Sequence, residues 1–228
     1  MTDVPCFTPE LFDFLRQLKR RNNRDWFTRN KPRYEQAIRD PALLFIAAVT
    51  PRLAKLSRKL PAAALRGSLF RIYRDIRFSS DKRPYKTHIG MQWTYAKSKD
   101  AHSPCYYLHL EPEGCFVAAG IWHPDNVSLN RIRHAIVANP QTWKKIRRGL
   151  DLGGDRLSRP PRGFDCAQPL IEDLKYKDYI AAVDLSQRQI CSRNFIPDLL
   201  AAGRTMTPLV EFTWQALAPK AQAAEVAL

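Results

Sequence analysis

The chain has 228 residues, 45% of them hydrophobic, which suffices for one substantial core or one core with an appended helical lobe. Its 37 Lys and Arg against 22 Asp and Glu leave a formal charge of +15, a field that attracts polyanions. Five scattered cysteines, never spaced Cys-x-x-Cys, exclude a disulfide framework and a zinc knuckle, and the longest apolar run, Leu43 to Val49, is too short to span a bilayer.

The first third reads as helical. Thr8-Pro9 offers an N-cap and a first-turn proline, followed by Leu11, Leu15 and Leu18 at helical spacing with Phe14 beside them. Asn22-Asn23 interrupts, and a second helix runs from Arg24 toward Ile38. Pro41 is expected to restart a third helix, and Pro51 to kink or break it. The period then changes. Alternation from Phe70 to Phe78 predicts a strand with Ile72, Arg74, Ile76 and Phe78 on one side, followed by a loop over Ser79–Pro84. Ile89, Met91 and Trp93 predict another strand. Tyr106 to Trp122 reads as a hairpin turning at Glu111-Pro-Glu-Gly114. Its inner face is apolar, and its register leaves Cys105 and Cys115 unpaired.

Ser128 is expected to cap a helix bearing Leu129, Ile132 and Ile136, and Pro140 to start a basic helix around Trp143. Leu152 to Phe164 reads as a surface loop, Tyr179 to Leu185 as a short strand and Pro197 to Leu217 as a closing helix bent near Pro208. The expected fold is α+β: a largely antiparallel sheet with helices on one face and an N-terminal helical lobe. A single domain is expected over residues 7–218, with the lobe at 7–60, the sheet-containing core at 66–190 and the closing helix at 194–218. The tail, 219–228, is expected to fray. Met1 to Cys6 carries no basic-then-apolar leader, so a cytoplasmic protein with reduced thiols and no membrane partner is expected.

The segment Leu69 to His88 is the most informative. It interleaves Arg71, Arg74, Arg77, Lys82, Arg83 and Lys86 with only Asp75 and Asp81, and threads Phe70, Tyr73, Phe78 and Tyr85 between them. Guanidinium forks suit a phosphate or carboxylate, so Arg71, Arg74, Arg77, Lys82 and Lys86 are the candidate anion-binding residues, oriented by Asp75, Asp81 and Tyr85. Two readings stay open: a ligand site, or an internal lattice in which the aspartates neutralise the arginines and pin the segment. Lys86 and His88 are the candidates for acid–base chemistry. The remaining histidines show no ligand spacing, and no cofactor or metal is expected. Tyr107 and Trp122, on the outer hairpin face, are candidates for stacking a ring, unless a helix covers that face. A second basic region runs from Arg131 to Arg162.

These residues carry a resemblance. The R-x-x-R-D-x-R-F core (Arg71, Arg74, Asp75, Arg77, Phe78), followed by Asp81-Lys82 and Tyr85, resembles the signature of domain-of-unknown-function family 2461, a bacterial family. The segments Asn22–Phe27, Gly120–Pro124 and Pro161–Phe164 are similar to that family too, so the likeness covers nearly the whole chain. It implies no activity. The function expected from the residues is binding of a phosphate-bearing partner, plausibly nucleic acid. The alternative is an enzyme acting on a small phosphorylated or carboxylated substrate, with the same arginines as the grip and Lys86 or His88 moving protons.

Overall fold

Helix α1 (Pro9–Arg20) forms because Leu11, Phe14, Leu15 and Leu18 recur on one stripe, and all four are fully buried. Pro9 takes the first turn, where a missing N–H costs nothing; Thr8 stands at the N-cap, though its hydroxyl makes no capping bond. The computed structural model describes residues 7–57, 60–61, 67–94 and 103–218; the expected tail lies outside them. Helix α2 (Arg24–Tyr34) is capped by Asn23, whose side-chain oxygen accepts from the Trp26 N–H at 2.9 Å.

Pro41 stands in the first turn of a third helix, as expected, but no break precedes it. Helix α2 runs through a π-helical turn, Glu35–Arg39, straight into α3 (Asp40–Leu53). In a regular helix the Pro41 ring would collide with the carbonyl four residues back. The wider turn just before it, closed by the Asp40 N–H on the Glu35 carbonyl, absorbs the misfit. Pro51 lies inside α3, which ends two residues later.

The strand expected over Phe70–Phe78 is also absent. That stretch carries only isolated antiparallel bridges, Leu69 with Met91 and Tyr73 with Tyr85. Arg74 N–H donates to the Pro84 carbonyl at 2.9 Å and Lys86 N–H to the Ile72 carbonyl at 2.8 Å. The ladder ends there because Pro84 has no N–H to return. Beyond it the Asp75 and Asp81 carboxylates capture the amides of Arg77 and Arg83, giving the backbone an alternative to pairing. Ile72 is therefore buried while Phe78, expected on the same strand face, is 96% exposed.

The sheet contains β1 (Ile89–Thr94), β2 (Cys105–Leu110), β3 (Cys115–Ile121), β4 (Leu152–Gly153) and β5 (Tyr179–Leu185), antiparallel in the order β1-β2-β3-β5-β4. Strands β2 and β3 form the expected hairpin, its turn closed by the Gly114 N–H on the Glu111 carbonyl. Tyr106, Leu108 and Leu110 alternate into the core. Cys105, Cys115, Cys166 and Cys191 are free thiols. Two local expectations need correction. Asp125, not Ser128, caps α4 (Asn126–Ala138): Ser128 lies within the first helical turn, and its N–H is the donor that the Asp125 carboxylate accepts at 2.7 Å. The loop after Leu152 is not wholly irregular, since Leu152 and Gly153 pair with Ala181 and Ile180 of β5.

Helices α5 (Pro140–Arg147), α6 (Ile171–Leu174), α7 (Gln187–Ile190) and α8 (Phe195–Leu217) complete the described elements, and the fold is α+β. The chain gathers into two compact units. Unit 1 comprises Met1–Trp93, Tyr107–Val117 and Val183–Ala202. Its core is aromatic: Phe45 stacks on Phe195 with centroids 5.2 Å apart, and the Trp93 indole N–H donates to Thr50 at 3.0 Å. Unit 2 comprises Thr94–Tyr106, Ala118–Ala182 and Gly203–Leu228. It centres on Trp143, which packs on Tyr179 and Phe212 and donates to Asp173 at 3.0 Å. No described helix is long and apolar enough to cross a membrane.

Candidate functional site

The basic segment is organised by its two aspartates. Asp81 accepts from Arg74 at 2.6 Å and from Arg83 at 2.7 Å, and Asp75 receives a two-pronged pair from Arg77, the closer contact 2.7 Å. Both carboxyls are held below the usual carboxylate range, Asp81 foremost by Arg83 and Asp75 by Arg77. Lys82 donates to the Ile76 carbonyl at 3.1 Å. Of the five residues proposed to grip an anion, three are thus engaged by the protein itself.

Arg71 and Lys86 differ. Neither has a carboxylate within 4.0 Å among the described residues. They lie close enough for the Arg71 charge to push the Lys86 ammonium downward, behind the larger effect of burial. The Lys86 ammonium sits over the Phe70 ring, 5.4 Å from its centroid, and Arg71 is exposed. Tyr85, proposed to orient the site, is buried and stacked on Phe27 at 4.1 Å. Its backbone is clamped by Asn22, which accepts the Tyr85 N–H at 3.1 Å and donates to the Tyr85 carbonyl at 2.9 Å. The Asn22–Phe27 segment therefore anchors the basic segment: Asn22 clamps it, Asn23 caps α2 and Phe27 supplies the stacking ring.

Just beyond Lys86 lies a polar cluster whose members are scattered in the sequence. On β2, Tyr107 and His109 face away from the core-facing Tyr106, Leu108 and Leu110, and Glu111 follows at the same two-residue period. The Tyr107 hydroxyl is 3.2 Å from His109 Nδ1, and His109 Nε2 is 3.3 Å from Glu111 Oε2. Thr87 donates its hydroxyl to Glu111 Oε1 at 3.1 Å. His88 enters from the residue preceding β1, its ring 4.6 Å from that of His109. Phe116 stacks under His109 at 4.8 Å. Burial pushes the His88 imidazole down to about 4, with His109 and Lys86 acting in the same direction and Glu111 against it. Gly90 makes room for Tyr107: a Cβ there would stand 2.7 Å from the Tyr107 hydroxyl and 2.8 Å from the Phe70 ring.

The signal for this cluster existed in part. The alternation Tyr107, His109, Glu111 marks one strand face, but recruiting His88 and Thr87 requires knowing which strand lies beside β2. Tyr107, proposed as a stacking surface, spends its hydroxyl on His109. Trp122 belongs to unit 2, is 57% exposed and meets the His123 ring at 4.3 Å. The second basic region lies in unit 2, where Arg131 and His134 share a groove of about 590 Å³ and Arg156 stacks on Tyr176 at 4.1 Å.

No curated protein matches the chain. The family described as conserved hypothetical protein (DUF2461) matches residues 10–212, and the chain belongs to that family.

Proposed function

We propose that this protein binds a small ligand through a phosphate or carboxylate group held between Arg71 and Lys86. One observation carries the reading: these two cations stand within electrostatic range of each other and lack a carboxylate partner among the described residues, while Arg74, Arg77 and Arg83 are each bonded to an aspartate. An anion there would accept from a guanidinium fork and an ammonium, each charge-assisted bond contributing about 1.5–3 kcal/mol. A bound nucleic acid would need a wide array of free cations, and the lattice leaves few in this segment.

The test is calorimetric titration of the full chain with inorganic phosphate, a phosphomonoester, a dicarboxylate and a short DNA duplex. Arg71→Gln and Lys86→Gln are each expected to weaken the small anions by about 10- to 100-fold, as the loss of one such bond implies. Arg16→Gln, whose guanidinium pairs with Asp13 on α1 and takes no part in the segment, should leave affinity unchanged. Tight duplex binding with a steep salt dependence would replace this reading with the polyanion one. Absence of any anion binding at low salt would leave the segment a purely internal lattice. Chemical turnover of the phosphomonoester, followed by phosphorus NMR, would move the site into the enzyme class.

A further inference from the structure

The strongest unassigned feature is the cluster at the end of β2. We infer that His88, His109 and Glu111 form a binding site for one divalent first-row transition ion of the zinc class. One donor atom from each of the three lies within 4.8 Å of the others. The His109 Nε2 to Glu111 Oε2 separation is 3.3 Å. That is close to the edge of a tetrahedron whose ligand atoms lie about 2.0–2.1 Å from a central zinc, which is about 3.3–3.4 Å.

The partners on the far side of His109 and Glu111 fit the same role. Ligating histidines donate their second ring nitrogen to an acceptor, and ligating carboxylates are themselves hydrogen-bonded. Here the Tyr107 hydroxyl engages Nδ1 of His109, and Thr87 donates to Oε1 of Glu111. The two atoms that face each other are those left over, Nε2 and Oε2. Phe116 stacks under the His109 ring and Tyr107 stands over Gly90, so the His109 ring is held on both its face and its edge. Two imidazoles and one carboxylate suit zinc, cobalt or ferrous iron, and not the all-oxygen shells that magnesium and calcium require. Three protein ligands leave a position for water or a substrate oxygen, as reactive sites do and closed structural sites do not. The side chains of His109 and Glu111 are 14% and 26% exposed, enough for an ion to enter.

Lys86 opposes a cation here, because its charge reaches His88. Lys86 thus acts on the two sites in opposite senses, and the metal ligands themselves do not rest on the anion reading. Lys86→Gln is expected to tighten the metal while weakening phosphate.

The experiment uses full-length protein purified without an affinity tag, stripped with chelator and titrated with Zn²⁺ alone and Co²⁺ alone. Wild type is expected to take up a single equivalent, with visible Co²⁺ bands of a low-coordinate nitrogen–oxygen site. Tyr107→Phe and Thr87→Val should weaken binding by about 10- to 100-fold, the range for outer partners. His109→Ala and Glu111→Gln should exceed that loss, and His134→Ala, on an exposed helix face, should change nothing. Should His109→Ala fail to fold, broadening of the His88 and His109 ring resonances of wild type by substoichiometric Co²⁺ reads the same site. Unperturbed rings, or an unchanged equivalent in Glu111→Gln, would overturn the inference.

Discussion

Asn22→Asp isolates one hydrogen bond that fastens the basic segment to the N-terminal helices. The carboxylate can still accept the Tyr85 N–H, now made at 3.1 Å, but it loses the donor that reaches the Tyr85 carbonyl at 2.9 Å. Tyr85 is 4% exposed, so no water easily replaces that donor. A typical neutral hydrogen bond contributes about 1 kcal/mol, and leaving a buried carbonyl unpaired costs about 1–3 kcal/mol in its place. A net loss of about 2 kcal/mol is therefore expected. For a chain of this size each kcal/mol shifts the midpoint by about 2–4 °C, so Tm should fall by about 4–8 °C. Urea unfolding should show a lower midpoint at unchanged slope, because the surface exposed on unfolding is the same. Phosphate affinity should fall too, since Lys86 follows the clamped residue directly. A stability change under about 0.5 kcal/mol, the ordinary range for an exposed substitution, would refute the clamp.

Gly90→Ala should cost about 1–3 kcal/mol by overpacking, read by thermal denaturation, and should shift the His109 ring resonances as Tyr107 is displaced; an unshifted ring would contradict the contact. Asp75 and Asp81 have folded-state pKa values below those of the unfolded chain, so what they contribute is fully present above about pH 4 and is lost as pH falls further, through the folded values. Carboxyl carbon NMR should find both midpoints below the ordinary carboxylate range, and midpoints at ordinary carboxylate pH would show the arginine pairs to be loose. Arg133, 7% exposed, donates to the Leu174 and Tyr176 carbonyls at 2.7 and 3.2 Å. Arg133→Met should cost about 1.5–3 kcal/mol in urea unfolding because two carbonyls lose a charged donor, and a stabilised variant would mean that desolvating the guanidinium outweighs both bonds.

What the sequence revealed depended on how local the physics was. Periodicity located α1, β1, the hairpin and β5, because each buries a face whose spacing is written in consecutive residues. It placed the start of α3 at Pro41 but not the continuity with α2, because the π turn that joins them has no sequence mark of its own. It failed at Phe70–Phe78. The alternation there is real as far as Ile72, but Asp75 and Asp81 compete for the amides a ladder would use. The family-like segments also proved local in purpose. Gly120, at φ +127°, lies so close to the Tyr179 carbonyl that a Cβ would collide with it, and His123 takes a left-handed turn whose N–H meets Asp178 at 2.6 Å. The polar cluster was half legible: His109 and Glu111 share a strand face by simple alternation, while His88 joins them only through strand order.

The lattice and the ligand grip, opposed as alternatives in the sequence, are compatible in the structure. Asp75 lies within electrostatic range of Arg71 yet spends both oxygens on Arg77. Asp81 divides itself between Arg74 and Arg83. Those pairs fix the backbone that carries Arg71 and Lys86 without neutralising either. Lys86 is half-buried, and its pKa is lowered first by that burial and then by the like charge of Arg71, so the two cations disfavour one another. A cation–π contact with Phe70 acts in the opposite sense, at about 0.5–2 kcal/mol between the exposed and the desolvated limits. A structural lattice alone has no use for that repulsion, since a neutral residue at either position would relieve it without disturbing an aspartate pair. An anion between the two would turn the repulsion into two attractions, and that difference is the physical reason for reading the pair as a site.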